Sequence, residues 1–85
     1  MKFGLIGYGA IGAEIGASLA ALGEAERLAA VLVRKGRGAG AFTAVHEVSA
    51  LLGAGPDVVM EAAGHEAVAQ YGPAVLAAGA DLVIT

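Results

Sequence analysis

Gly7-Tyr8-Gly9-Ala10-Ile11-Gly12 places three glycines in a Gly-x-Gly-x-x-Gly spacing, at a junction between two segments of different hydrophobic period. This junction narrows the available folds more than any other part of the sequence. Ahead of it, Phe3-Gly4-Leu5-Ile6 is a short apolar run, the pattern of a buried strand. Behind it, Ile11, Ile15, Leu19 and Leu22 recur at intervals of four, four and three. That spacing predicts one apolar face of a helix, with Glu14 and Ser18 off the face and Gly23 as its stop. Gly16 inside the helix costs about 1 kcal/mol relative to Ala, which close packing on a sheet would explain. A strand–turn–helix with this spacing gives each glycine a task. Gly7 allows the tight turn, Gly9 lets backbone approach a pyrophosphate, and Gly12 permits close helix–strand contact. A phosphate there meets unpaired N–H groups at the positive end of the helix dipole. The alternative is a glycine turn with no ligand.

The remainder alternates in the same way. Leu28 to Val33 is a second continuous apolar run. Arg34 to Gly40 reads as a mobile loop holding three of the five cationic side chains. A brief third strand is expected within 42–45, then a short helix over 46–52 ended by Gly53. Asp57 to Glu61 and Asp81 to Ile84 are the fourth and fifth strand candidates. Between them, 65–78 is helical, with Val68, Tyr71 and Val75 on one face, and Gly72-Pro73 is expected to split it into two short helices. Strands alternating with helices imply right-handed crossovers and a parallel sheet. The expectation is an α/β Rossmann-type sheet of about five strands in the order 3-2-1-4-5, with helices on both faces. Residues 1–85 then make one dinucleotide-binding domain. The last strand has no helix to cover it, so the domain is expected to be truncated at its C-terminal end, with no substrate domain.

Composition removes several other classes. The chain is 58% hydrophobic and only 15% charged, which suits buried strands under Ala-rich helices and not a disordered chain. A net charge of −3 argues against a nucleic-acid partner, which needs a basic face. Without cysteine there are no disulfides or thiolate metal sites, and two separated histidines, His46 and His65, do not make a metal cage. Residues 3–22 are apolar enough to resemble a signal peptide or membrane span. Glu14 within them would cost about 2–4 kcal/mol in lipid, and the spaced glycines weaken a spanning helix. The expectation is a cytoplasmic protein with no membrane partner.

Two further positions carry chemistry. A site selective for NAD places Asp or Glu at the end of the second strand, where it binds the ribose 2′-hydroxyl. Arg34 followed by Lys35 stands there instead. A guanidinium binds a 2′-phosphate or stacks on adenine, and the alternative is a solvated loop cation. After the fourth strand comes Glu61-Ala62-Ala63-Gly64-His65. Its small residues would let a cofactor pass close to the backbone, while Glu61 and His65 either line the nicotinamide end or anchor the next helix. His46 reads as a surface helix residue.

The opening Lys2 to Gly12, the Ala30-Val31-Leu32-Val33-Arg34 run, and the stretch from Glu61-Ala62-Ala63-Gly64-His65 through Tyr71-Gly72-Pro73 to Gly79 resemble L-aspartate dehydrogenases. These belong to the group with the homoserine-dehydrogenase-type nucleotide-binding domain. The first segment is common to many Rossmann enzymes, and the Glu-Ala-Ala-Gly-His…Tyr-Gly-Pro segment is the particular one. The resemblance implies NAD- or NADP-linked deamination of L-aspartate to oxaloacetate and ammonia through iminoaspartate, with a link to NAD biosynthesis. It implies cofactor-binding roles for Gly7, Gly9, Ala10, Ile11, Gly12 and Arg34, and for Ala63 and Gly64. Family members are longer and homodimeric. Their catalytic and substrate-binding residues lie in a later α+β domain, so no catalytic residue is assigned here, and an amino-acid substrate is expected only for a full-length parent. The alternatives are the cofactor-binding part of a homoserine-type or other amino-acid dehydrogenase, and a freestanding nucleotide-binding module without catalysis.

Overall fold

A computed structural model describes residues 1–85. The elements are β1 (Phe3–Ile6), α1 (Ala10–Ala21), β2 (Leu28–Leu32), β3 (Ala44–Val45), α2 (Val48–Gly53), β4 (Val58–Glu61), α3 (His65–Ala77) and β5 (Asp81–Ile84). The five strands form one parallel sheet in the order β3-β2-β1-β4-β5, as the alternating pattern predicts. Leu5 stands level with Val31 on one side and Met60 on the other, and Val59 level with Leu82. Chain order reverses between β1 and β4, so a crevice opens beyond their carboxyl ends, where α/β sheets bind ligands.

Alternating side chains divide the core into two layers. On one face Leu5, Leu28, Val31 and Val33 meet Ile15 and Leu19 of α1. On the other, Ile6, Ala30, Leu32 and Val59 meet Leu51 of α2 and Val75 of α3. Leu5, Val31, Leu51, Val59 and Val75 are fully buried. Burying each such side chain stabilises the fold by roughly 1.5–3 kcal/mol.

The helices depart from the sequence reading in three places. Ile11 and Leu22, expected on the inner face of α1, are 52% and 71% exposed, and the buried residues of α1 are Gly12 and Gly16. Ile15 and Leu19 pack half-buried against the sheet, and the fully buried positions of the helix are its two glycines. A Cβ on Gly16 would lie 2.7 Å from the Phe42 ring, so this glycine accommodates the loop after β2 and not the sheet. The split expected at Gly72-Pro73 is absent: α3 runs unbroken from His65 to Ala77. Gly72 is buried against Leu82, whereas Pro73 and Ala69 face solvent. The hydrogen bond that proline forfeits to residue 69 is therefore on the water side, where the carbonyl is solvated. The short helix expected from residue 46, α2, begins at Val48, leaving His46 outside it at the end of β3.

The segment expected to be a mobile loop is anchored. Ala39 is 2% exposed, Phe42 N–H donates to Ala39 O at 3.0 Å, and Phe42 packs edge-on to Tyr8 with ring centroids 6.4 Å apart. A single 3-10 turn, Ala25–Arg27, was not evident from periodicity, being too short to show one. No helix is long and apolar enough to cross a membrane.

Candidate functional site

A cleft of about 440 Å³ lies beyond the carboxyl ends of β1 and β2. Its floor is the β1–α1 turn, Gly7, Tyr8 and Gly9; the segments after β2 and β3 contribute Arg34, Arg37 and His46; α3 contributes Glu66, Gln70 and Tyr71.

The turn explains the glycine spacing atom by atom. Gly7 has φ +91°, a region that side chains disfavour, and its N–H donates to Leu32 O at 2.8 Å, fastening the turn to β2. A Cβ there would lie 2.8 Å from that of Ala63. A Cβ on Gly12 would lie 2.4 Å from the Gly7 carbonyl oxygen. Those two glycines are required by the protein itself. Gly9 differs, with nothing within 4 Å of where its Cβ would be. The open space at Gly9 is the room a closely approaching ligand needs.

Four N–H groups at the start of α1 have no partner. Ala13 N–H donates to Gly9 O at 2.9 Å, the first bond of α1, and no backbone or side-chain acceptor serves Gly9, Ala10, Ile11 or Gly12. The first turn has no side-chain cap and no acidic residue. Unpaired donors at a dipole's positive end attract an anion. Ala10 and Ile11 lie outside the cleft lining, and the Ile11 side chain is 52% exposed.

The second turn at the switch point is built in the opposite sense. Glu61 is 1% exposed, and its carboxylate accepts from Ala63 N–H at 2.6 Å and from Gly64 N–H. Of the two roles open to Glu61 in the sequence, anchoring the next helix is the one its hydrogen bonds carry out. Ala63 lines the cleft beside Gly7, but its N–H and that of Gly64 are already bound. Gly64 has φ +119°, which lets the chain turn back toward the Glu61 carboxylate. His65 is exposed and outside the cleft lining, and Glu66 takes a place there instead.

Arg34 is exposed and lines the cleft, as does Arg37, whose N–H donates to Arg34 O at 3.0 Å to close a turn. Neither guanidinium has a carboxylate partner, since the molecule's one ion pair joins Arg27 to Glu24 at 3.7 Å. With Glu66 of α3 in the same lining, the cleft carries one net positive charge beside the β1–α1 turn. Arg37 was detectable in principle, because Arg34-Lys35-Gly36-Arg37 has the spacing of a turn that returns the fourth residue beside the first. His46 and Tyr71 carried no such local signal. No group of three His, Cys, Asp or Glu side chains converges to hold a metal.

Comparison with known proteins agrees with this geometry. Residues 7–85 match the model of the homoserine dehydrogenase NAD-binding domain. The chain is 40% identical over 84 residues to L-aspartate dehydrogenase 1 of Bordetella pertussis, and 39% and 38% identical to the proteins of the same name from Bordetella parapertussis and Bordetella bronchiseptica. Each alignment covers 98% of this chain and 33% of the relative, so the chain spans about a third of the length of the curated relatives it matches. The resemblance read in the sequence is thus borne out, and a nicotinamide dinucleotide is the cofactor class. With its parallel sheet, its glycine turn and this match over nearly its whole length, the chain belongs to the homoserine dehydrogenase-type NAD-binding domain family.

Proposed function

We propose that residues 1–85 form the dinucleotide-binding domain of an amino-acid dehydrogenase of the L-aspartate dehydrogenase kind, and that its cleft accepts NADP at least as well as NAD. The observation that carries this reading is the open space at Gly9, beside the unpaired N–H groups that begin α1 and in a cleft that Arg34 also lines. The pyrophosphate sits at Gly7 and Gly9 and takes hydrogen bonds from the N–H groups of Ala10, Ile11 and Gly12. The nicotinamide, when bound, supplies hydride chemistry. Ala63 gives the dinucleotide a small, close wall, and Gly64 shapes the turn beneath it. The names of the relatives support L-aspartate as the parent enzyme's substrate, oxidised to an imino acid that water converts to oxaloacetate and ammonia. The residues that hold such a substrate are sought outside this domain, and none of these 85 residues is assigned a catalytic role.

NADP acceptance follows from Arg34. A carboxylate in its place would repel the 2′-phosphate, whereas a guanidinium forms charge-assisted hydrogen bonds worth about 1.5–3 kcal/mol. Exposure and salt reduce that gain, so dual use is expected and not strict NADP selectivity. The test is a pair of dissociation constants at fixed salt, before and after Arg34→Asp. NADP binding should weaken by about tenfold or more while NAD is little changed. Wild-type protein binding NAD more than about tenfold tighter than NADP would refute the Arg34 assignment.

A further inference from the structure

His46 occupies a place that neither the sequence pattern nor the proposed cofactor reading uses. It follows β3 directly, beside the end of β2, where Val33 N–H donates to Val45 O at 2.9 Å and continues the ladder past the last paired residue. From there His46 Nδ1 lies 3.1 Å from the carbonyl oxygen of Val33, the residue immediately before Arg34. A carbonyl only accepts, so Nδ1 carries the hydrogen and Nε2 is the nitrogen that gains or loses a proton. No other hydrogen bond involves the ring, and His46 lines the same cleft as Arg34 and Arg37. The imidazole is thus tied to the backbone that presents Arg34, with its titrating nitrogen unengaged.

We propose that His46 is a proton-dependent specificity residue, supplying a third positive group for the cofactor's 2′-phosphate when protonated, so that preference for NADP over NAD rises as pH falls. This rests on the dinucleotide reading of the cleft and adds to it. NAD lacks the 2′-phosphate, so the protonation state of His46 affects the two cofactors differently while the shared pyrophosphate contacts cancel in their ratio. The sign follows from linkage: a bound dianion favours the imidazolium, so NADP binding takes up a proton and is strengthened at lower pH. The other groups around the ring are few. The charged ones are Arg34, Arg37 and Glu66 of α3, which share the cleft, and the adjacent Glu47. Tyr8 and Tyr71 also line the cleft. The ligand contributes too, since a phosphate monoester has its second pKa near 6 and loses charge in acid. That effect weakens NADP binding as pH falls, opposite to the one proposed, so the two are separable.

The experiment measures dissociation constants for NADP+ and NAD+ by titration calorimetry at pH 8.5 and 6.5, for wild type, His46→Asn and Arg34→Gln. Asparagine retains a donor for Val33 O and removes the titrating nitrogen. For wild type the NADP/NAD preference should grow about three- to fivefold on acidification. In His46→Asn the preference should stay flat or fall slightly on acidification. A wild-type ratio independent of pH, or an equal rise in His46→Asn, overturns the proposal for His46. Failure of the underlying reading looks different: Arg34→Gln would leave the pH 8.5 preference untouched, or neither cofactor would bind at either pH, and the proposal falls with it.

Discussion

Two glycines of one motif should fail in different ways when each is changed to alanine. At Gly12 the new Cβ would lie 2.4 Å from the Gly7 carbonyl oxygen and 3.0 Å from its carbon. Both are backbone atoms of the turn, which cannot rotate aside as a side chain would. Overpacking of this kind costs about 1–3 kcal/mol, and the upper end applies where backbone must move. Alanine recovers about 1 kcal/mol of helix propensity, leaving a net loss of about 2 kcal/mol and a Tm lowered by about 8–16 °C in a domain of this size. Gly9→Ala meets nothing within 4 Å, and its φ of −76° suits any residue. The cost there is a weaker helix N-cap, about 0.5 kcal/mol and a few degrees. In calorimetric titration the order reverses, since the Gly9 methyl group enters the space reserved for the pyrophosphate, and Gly9→Val should all but abolish binding. Thermal melts by circular dichroism with titrations on the same preparations provide both readouts. If Gly12→Ala melts within about 3 °C of wild type, or Gly9→Val binds dinucleotide as wild type does, the division between a packing glycine and a ligand glycine is wrong.

Glu61→Leu removes the acceptor for Ala63 and Gly64 N–H and should destabilise the chain by about 1–3 kcal/mol, with Glu61→Gln milder; a stabilised leucine variant by denaturant melt would mean that burying the carboxylate outweighs its hydrogen bonds. The sheet edge at β5, where Val83 and Ile84 are 47% and 56% exposed, should drive concentration-dependent self-association. Lysine at both positions should suppress it in sedimentation equilibrium, and a wild-type monomer at every concentration would count against the edge as the cause.

The strand order and the glycine turn were legible because both depend on local pattern. Apolar runs of strand length alternating with helical period leave few parallel topologies, and the spacing at Gly7, Gly9 and Gly12 encodes a turn within six residues. What was hidden depends on contacts distant in sequence. The Phe42 ring against Gly16 shifts the inner face of α1 and anchors a segment whose glycines and charges alone read as mobile. Pro73 is tolerated only because tertiary packing turns it toward water, which a helix-breaking rule applied to isolated sequence does not anticipate. At the site, Arg34 announced itself by replacing an expected carboxylate. His46 did not, because its position depends on β3 pairing with β2, a two-residue strand too short to fix its own register from pattern.

An amide-resolved nitrogen–proton NMR titration with NADP+ tests the binding site most directly. Free N–H groups that gain a phosphate acceptor move strongly, while those already bound to a carboxylate have less to gain. Gly9, Ala10, Ile11 and Gly12 should show the largest saturable shifts, followed by Arg34 and Arg37, with Ala63 and Gly64 moving less than the α1 turn. Shifts centred on the apolar hollow beside Phe3, Ile15 and Leu19 on the other side of α1, or a β1–α1 turn that stays still at saturation, would contradict the account.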